Sequence, residues 1–273
     1  MRQINCVLCG SGDKKVLAVQ EFDDEYLNLI DPAYQREARR WVACGACNFV
    51  YHDPQLDAKD TQVLYDKFRD SSFRNETPDQ YFDRITTLPR EQSENLAKVE
   101  WLRDRLPAEF SRGGKILDIG CGGGVFLYTF LQNAPGWQAS GVEPTRAFAE
   151  LAARRLARPV LASNYSGGVC GQGFDIISCN QVLEHTIDPL AFLRDIRADL
   201  AVGGHLYIEV PDTSDFDLLP PQHDRFLMQH LWYFDSDSLG RLAVKAGFEV
   251  AVRELQLTKR GRKNLVALLR RSV

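Results

Sequence analysis

The sequence predicts an α/β protein: seven strands in a mostly parallel sheet, an antiparallel C-terminal hairpin at its edge, and a small cysteine-bearing module in front. Three observations predict it. From residue 115 onward, short apolar runs alternate with amphipathic segments of helical period. The first of those runs, "KILDIG", leads straight into a cluster of glycines. The first 50 residues hold two pairs of cysteines, each pair spaced C-x-x-C.

The chain has 273 residues, 44% hydrophobic and 26% charged, with a formal net charge of −4. These values describe a globular chain with a sizeable core. No dense basic stripe marks a nucleic-acid partner, and "KRGRK" (259–263) reads as a solvated turn between two strands. No apolar run has the length of a membrane span, and "MRQINC" lacks a signal-peptide core. A cytoplasmic protein with reduced thiols is expected.

In that compartment, Cys6, Cys9, Cys44 and Cys47 read as metal ligands. Two residues between cysteines let both sulfurs face one ion. Gly10 and Asn48 follow the pairs as turn formers. Four thiolates complete a tetrahedral shell with no open position, which is a structural Zn2+ site. A redox pair is the rival reading, but no thioredoxin-like βαβ pattern surrounds either C-x-x-C. The stretch between the pairs leaves room for a hairpin or a helical excursion. Cys121, Cys170 and Cys179 stand alone, as packing residues do.

The divisions expected are a zinc-binding module at 1–56, a helical linker or cap at 57–112, and the α/β domain at 113–273. "TQVLYDKF" and "SENLAKVEWLRDRL" carry apolar residues at helical spacing. Between them, "RDSSFRNETPDQYFDRITT" is richer in turn formers and holds aromatics suited to covering a pocket. Gly113 and Gly114 mark a break. Then come strand "KILDIG", helix "VFLYTFLQNA", strand "WQASGVEP", helix "RAFAELAARRL", strand "PVLA" and strand "FDIISCN". Helix "DPLAFLRDIRADL", strand "GGHLYIEVP" and helix "SDSLGRLAVKAG" follow, and strands "FEVAVRELQL" and "NLVALLRR" close the chain. Helices between parallel strands cover both sheet faces.

The stretch "LDIGCGGGVFL" places Gly120, Gly122, Gly123 and Gly124 between a strand and a helix. Glycine allows positive φ and lets a ligand approach the backbone. Glu143 ends the next strand, where a carboxylate can accept hydrogen bonds from two ribose hydroxyls. The pair points to a nucleoside-containing ligand. Asp118, just before the loop, is placed to orient the turn and to hold the ligand's amino group directly or through water.

"KILDIGCGGGVFL", "GVEP" and "FDIISCNQVLEHTIDP" together resemble the class I S-adenosylmethionine-dependent methyltransferases, over roughly residues 90–273. The resemblance implies their Rossmann-like sheet and S-adenosyl-L-methionine as cofactor. It implies that Gly120, Gly122 and Gly124 border the methionine part and that Glu143 holds the ribose. Ser163 or Asn164 would meet the adenine, and Asn180 and Gln181 would line the cofactor's other side. With the cysteine pairs in front, the chain is similar to sugar-modifying methyltransferases of deoxysugar and surface-polysaccharide pathways.

On the acceptor side, Glu184 and His185 stand where the fourth strand gives way to a helix, in position for general-base work or for a structural role. The long connection after the fifth strand carries His223, Asp224, His230, Trp232 and Tyr233. Long loops of this kind often bind substrate. The sugar C-methyltransferases carry a stretch resembling Y-H-E-H-x-S-Y-F here. His230, Tyr233 and Phe234 match it, whereas Leu227, Met228 and Gln229 do not. His230 is the first candidate base and His223 the second, with loop anchoring as the alternative role of His230. Tyr233, Glu184 and His185 complete the candidate catalytic set.

The expected function is O-methylation of a sugar in a nucleotide-sugar or glycan intermediate. The alternatives are C-methylation of a deoxysugar nucleotide, O-methylation of a small phenol, and a non-catalytic cofactor-binding scaffold. The expected partner is a sugar or other small-molecule acceptor, with no nucleic acid and no membrane span; the sequence leaves homo-oligomerisation open.

Overall fold

A computed structural model describes residues 1–20, 23–68, 76–214, 216, 223 and 226–272. Asp224 lies outside the described residues, as do residues 69–75 at the start of the turn-rich stretch.

The N-terminal part forms β1 (Lys14–Gln20), α1 (Glu25–Ile30), β2 (Arg39–Cys44) and β3 (Val50–Asp53). A short 3-10 turn at Pro32–Arg36 joins α1 to β2, so the stretch between the cysteine pairs holds both an antiparallel pair, β1 with β2, and a helical connection between them. Four helices follow: α2 (Ala58–Phe68), α3 (Pro78–Thr86), α4 (Glu94–Arg105) and α5 (Pro107–Arg112). Helix α3 occupies a stretch whose composition suggests turns. Thr77 and Gln80 form a reciprocal capping box there, with Pro78 at the first helical position.

The α/β unit then runs β4 (Lys115–Ile119), α6 (Val125–Asn133), β5 (Gln138–Glu143), α7 (Arg146–Leu156), β6 (Val160–Ala162) and β7 (Phe174–Asn180). It continues through α8 (Pro189–Asp199), β8 (Leu200–Pro211), the two-residue β9 (Trp232–Tyr233), α9 (Ser236–Lys245), β10 (Glu249–Leu257) and β11 (Lys263–Arg270). Asp188 caps α8 by accepting from the amides of Leu190 and Ala191, and Asp235 forms a capping box with Ser238 on α9.

Seven strands form one sheet in the order β10-β11-β8-β7-β4-β5-β6. Strands β8, β7, β4, β5 and β6 are mutually parallel, and β11 and β10 add the antiparallel edge. Chain order reverses between β4 and its neighbours β5 and β7, the switch point at which open α/β sheets bind ligands. Along β4 the side chains alternate: Ile116 joins the core under α4 and α6, while Leu117 and Ile119 join the opposite core.

The second sheet has the order β1-β2-β3-β9, all antiparallel. The boundary expected at residue 56 is therefore crossed. Strand β9 comes from the long connection after β8 and pairs Tyr51 with Trp232 and Val50 with Tyr233. The N-terminal residues Leu8, Leu27, Val42 and Tyr51 share one hydrophobic core with Ile119, Ile196, Phe234 and Leu239. Module and α/β unit fold against each other because neither sheet buries its inner face alone. Among the described residues, no helix is long and apolar enough to cross a membrane.

Candidate functional site

Strand β4 ends at the glycine turn, where Gly120 (φ 68°), Gly122 (φ 53°) and Gly124 (φ 83°) all adopt the left-handed region. A Cβ on Gly120 would lie 2.6 Å from Val182 Cγ2, so only glycine fits. The turn is held by strand β5. The Val142 carbonyl accepts from the amides of Gly120 (2.8 Å) and Cys121 (3.2 Å). Glu143 accepts from the Gly122 amide at 2.9 Å and from the Thr145 amide at 3.0 Å, one on each carboxylate oxygen. Each oxygen keeps a further lone pair, and Glu143 lines the adjoining cavity.

That cavity has a volume of about 530 Å³ and is lined by Gly120, Glu143, Asn164, Asn180, Gln181 and His185, among others. Ser163 also lines it, and helix α2 contributes Gln62 and Tyr65 to its wall. A second cavity of about 830 Å³ shares Gly120, Asn180, Gln181 and His185 with the first and extends past Asp118, Gly122, Glu184 and His230. Both volumes lie in the range of small-molecule sites, roughly 300–1,000 Å³. The glycine turn and the end of β7 form the partition between them.

Several expected residues take other roles. Asp118 faces β7 instead of the glycine turn: it accepts from Ser178 Oγ at 2.7 Å and from Asn180 Nδ2 at 3.5 Å. Burial pushes its carboxyl up to about 7, against the opposing pull of the Ser178 hydroxyl and the Lys98 charge. Clasping the turn falls to Glu143, whose strand end stands directly beside it. Gly124 lines neither cavity. It is the N-cap of α6, and a Cβ there would lie 3.0 Å from both Ala152 and Leu156, so its work is close helix packing. His223 also lines neither cavity.

Tyr233 lies away from the cleft. It is buried in the small sheet, where its hydroxyl accepts from Trp41 Nε1 at 3.0 Å and its ring packs beside Phe216. Tyr233→Phe is expected to leave turnover within a few-fold of wild type and to cost about 1 kcal/mol of stability, the net worth of one hydrogen bond. A loss of turnover on the acid–base scale, about 100-fold or more, would return Tyr233 to the chemistry.

His185, Glu184 and His230 come together on the cleft wall. The His185 and His230 ring centroids are 4.8 Å apart, and His185 Nε2 is 3.8 Å from Glu184 Oε1. His185 Nδ1 sits 2.7 Å from the Gln229 carbonyl; donating its proton there leaves Nε2 as the acceptor. The Leu231 amide donates to the Glu184 carbonyl at 2.8 Å, which joins the two segments. Glu184 is 1% exposed, and burial pushes its carboxyl up to about 8, with the charge of Glu209 adding to the effect.

Sequence reasoning missed Lys98 and Glu209. Lys98 Nζ lies 3.0 Å from Glu209 Oε2 and donates to Asn180 Oδ1 at 3.3 Å. Glu209 also accepts from Asn264 Nδ2 at 2.8 Å and from the Tyr207 hydroxyl at 3.2 Å. A glutamate inside the apolar run "LYIEVP" was the available signal, because an unpaired charge is expensive in a buried strand.

The four N-terminal cysteines form a separate cluster with all sulfurs within 4.8 Å of one another. Cys6 and Cys47 are 3.5 Å apart, and Cys9 and Cys44 are 3.4 Å apart. Tetrahedral zinc with Zn–S bonds of about 2.3 Å calls for sulfur separations near 3.8 Å, so the cluster fits that ion. The two knuckles match: the Gly10 amide donates to the Cys6 carbonyl (2.7 Å), the Asn48 amide to the Cys44 carbonyl (2.8 Å). Both residues have positive φ, 81° and 60°.

A family model described as a methyltransferase domain matches residues 91–252. A tRNA U34 carboxymethyltransferase of Dichelobacter nodosus is 35% identical over 150 residues, 50% of this chain and 48% of that protein. A ubiquinone biosynthesis O-methyltransferase of Pseudomonas aeruginosa is 28% identical over 138 residues, 47% of this chain and 56% of that protein. The chain spans about half the length of the curated relatives it matches. Among solved structures, the 1,6-didemethyltoxoflavin-N1-methyltransferase of Burkholderia thailandensis aligns with a TM-score of 0.57 at 21% identity. The alignment covers 86% of this chain and 96% of that one, and it shows a common fold.

Proposed function

Because the chain belongs to the methyltransferase-domain family, we propose that it binds S-adenosyl-L-methionine and methylates a hydroxyl of a small acceptor, a sugar of a nucleotide-sugar or glycan intermediate. The observation that carries this reading is the pair of joined cavities. One is lined by a strand-end carboxylate beside a glycine turn; the other opens from the same turn toward two histidines.

Glu143 would hold the ribose with the lone pairs left free by the amides of Gly122 and Thr145. Asn164, with Ser163 beside it, would face the adenine from the end of β6. Gly120 and Gly122 would let the methionine portion approach the backbone near Asp118. Bound there, the cofactor supplies an electrophilic methyl group on a positively charged sulfur. The chain's own task is to place an acceptor oxygen in line and to receive its proton, so positioning carries most of the rate gain. His185 Nε2, left as an acceptor by the Gln229 carbonyl, and the His230 ring beside it would take that proton. The four-cysteine cluster would hold structural zinc that fixes the sheet from which residues 229–231 hang.

Oxygen is preferred to carbon because Leu227, Met228 and Gln229 replace the tyrosine, first histidine and glutamate of the C-methyltransferase stretch, and Tyr233 is hydrogen-bonded to Trp41 in the small sheet. The ubiquinone-pathway relative is named an O-methyltransferase, in keeping with an oxygen acceptor. The net charge of −4 favours a small molecule over the nucleic acid named for the tRNA-modifying relative. Lys259 and Arg262 on the second cavity suit an acceptor carrying phosphate; Arg84 and Arg260 there pair with Glu76 and Glu94.

Turnover to S-adenosylhomocysteine across a panel of nucleotide-sugars, glycan fragments and phenols, with the methylated atom located by NMR, is the test. An O-methyl sugar is expected. A C-methyl product would overturn the oxygen assignment. Cofactor binding without turnover on any acceptor would favour the scaffold reading.

A further inference from the structure

We propose that Glu184, His185 and His230 form a second metal centre, a divalent-cation site on the wall of the acceptor cavity, separate from the four-cysteine cluster. One donor atom from each residue lies within 4.8 Å of the others. All three residues line the second cavity. Around a cation at about 2.1 Å, donors sit roughly 3–3.5 Å apart. The 3.8 Å between His185 Nε2 and Glu184 Oε1 is already near that value, and side-chain rotation closes the rest.

Two further observations point to a ligand. Both carboxylate oxygens of Glu184 are buried with no hydrogen-bond partner among the described residues. A buried carboxylate without donors is costly, and a cation between it and two imidazoles offsets that cost. His185 is also held as metal-binding histidines are held. Its Nδ1 is 2.7 Å from the Gln229 carbonyl, which fixes the ring and turns the Nε2 lone pair toward Glu184. The hydrogen bond from the Leu231 amide to the Glu184 carbonyl brings His230 to the same point from a segment 45 residues away in sequence.

The donor set defines the ion. Two imidazoles and one carboxylate suit first-row divalent cations such as Zn2+, Fe2+ or Mn2+ over Ca2+ or Mg2+. Three protein donors leave coordination positions open toward the cavity. In the methyl-transfer reading, on which this part rests, an acceptor hydroxyl fills one of them and is acidified there; with the cation bound, His185 and His230 serve as its ligands in place of the base role they would have without it, and the proton passes to water. The cation site itself stands without that reading.

The test uses the full chain with its cysteine cluster loaded with zinc, and Mn2+ as the probe read by electron paramagnetic resonance. One bound Mn2+ per chain is expected, displaceable by added Zn2+. Glu184→Gln and His230→Ala should each weaken Mn2+ binding by roughly 100-fold or more, at or beyond the upper end of what losing an outer-shell partner costs, with the zinc content of the cysteine cluster unchanged. His230 is half-buried on a loop, so its variant remains informative if Glu184→Gln fails to fold. No Mn2+ binding by wild type, or wild-type binding by His230→Ala, would overturn the proposal. Normal Mn2+ binding by a protein with no methyl-transfer activity would retain the site and remove the reading of its acceptor.

Discussion

Glu143→Ala is expected to raise the Kd for S-adenosylhomocysteine by roughly 100-fold, about 3 kcal/mol. The carboxylate has two duties. It accepts the amides of Gly122 and Thr145, and so holds the glycine turn against the end of β5. It also lines the cavity in which the ribose would lie, with lone pairs left to accept from it. Alanine removes both the ligand's acceptors and the clasp on the turn, and two backbone donors lose their partner near a buried strand end. Glu143→Gln keeps one oxygen and should lose less. Calorimetric titration measures the effect. A Kd for the alanine variant within twofold of wild type would mean that the ribose is held elsewhere.

The second large effect is expected from Cys44→Ser. Cys44 is fully buried at the end of β2, within hydrogen-bonding reach of Cys9 Sγ, and its carbonyl anchors the second knuckle through Asn48. Losing a donor of the proposed zinc site belongs to the small class of changes that cost about 4 kcal/mol or more. At roughly 2–4 °C per kcal/mol for a chain of this size, Tm should fall by about 10 °C. The damage should reach the acceptor side. Strand β9 pairs with β3, Gln55 Nε2 donates to the Leu231 carbonyl at 2.9 Å, and the His52 amide donates to the same oxygen at 3.1 Å. Loosening the small sheet therefore frees residues 229–231, so turnover should fall further than cofactor affinity, which depends on β4 and β5. Full zinc content with an unchanged Tm would show that the ligands are others.

How far the sequence was legible depended on the range of the interactions. The central strands of the main sheet stood out because parallel strands buried on both faces are near-continuous apolar runs, whereas the antiparallel edge strand β10 showed as an alternation of exposed and half-buried residues. The cysteine pairs stood out because chelation needs a fixed local spacing. Strand β1 was hidden: "KKVLAVQ" is an edge strand in which Val16, Leu17 and Val19 are about half exposed, so it buries little. Strand β9 was hidden because two residues carry no period. Helix α3 was masked by turn-rich composition, although its capping box was readable at Thr77 and Gln80.

By itself, the sequence determined the order of the main sheet's strands and the helices between them, the glycine turn beside Glu143, and the four thiols at metal-ligand spacing. These rest on local periodicity and on residues close together in the chain. Only the tertiary structure decided that Asp118 turns to β7, that Gly124 packs a helix, and that Tyr233 belongs to the small sheet. It also decided that Glu184 and His185 meet His230. Each of those outcomes is set by a hydrogen bond or close contact between residues far apart in the chain. Such pairings form only when two sheets bury their faces against each other, and a one-dimensional pattern does not record which partner a side chain will find.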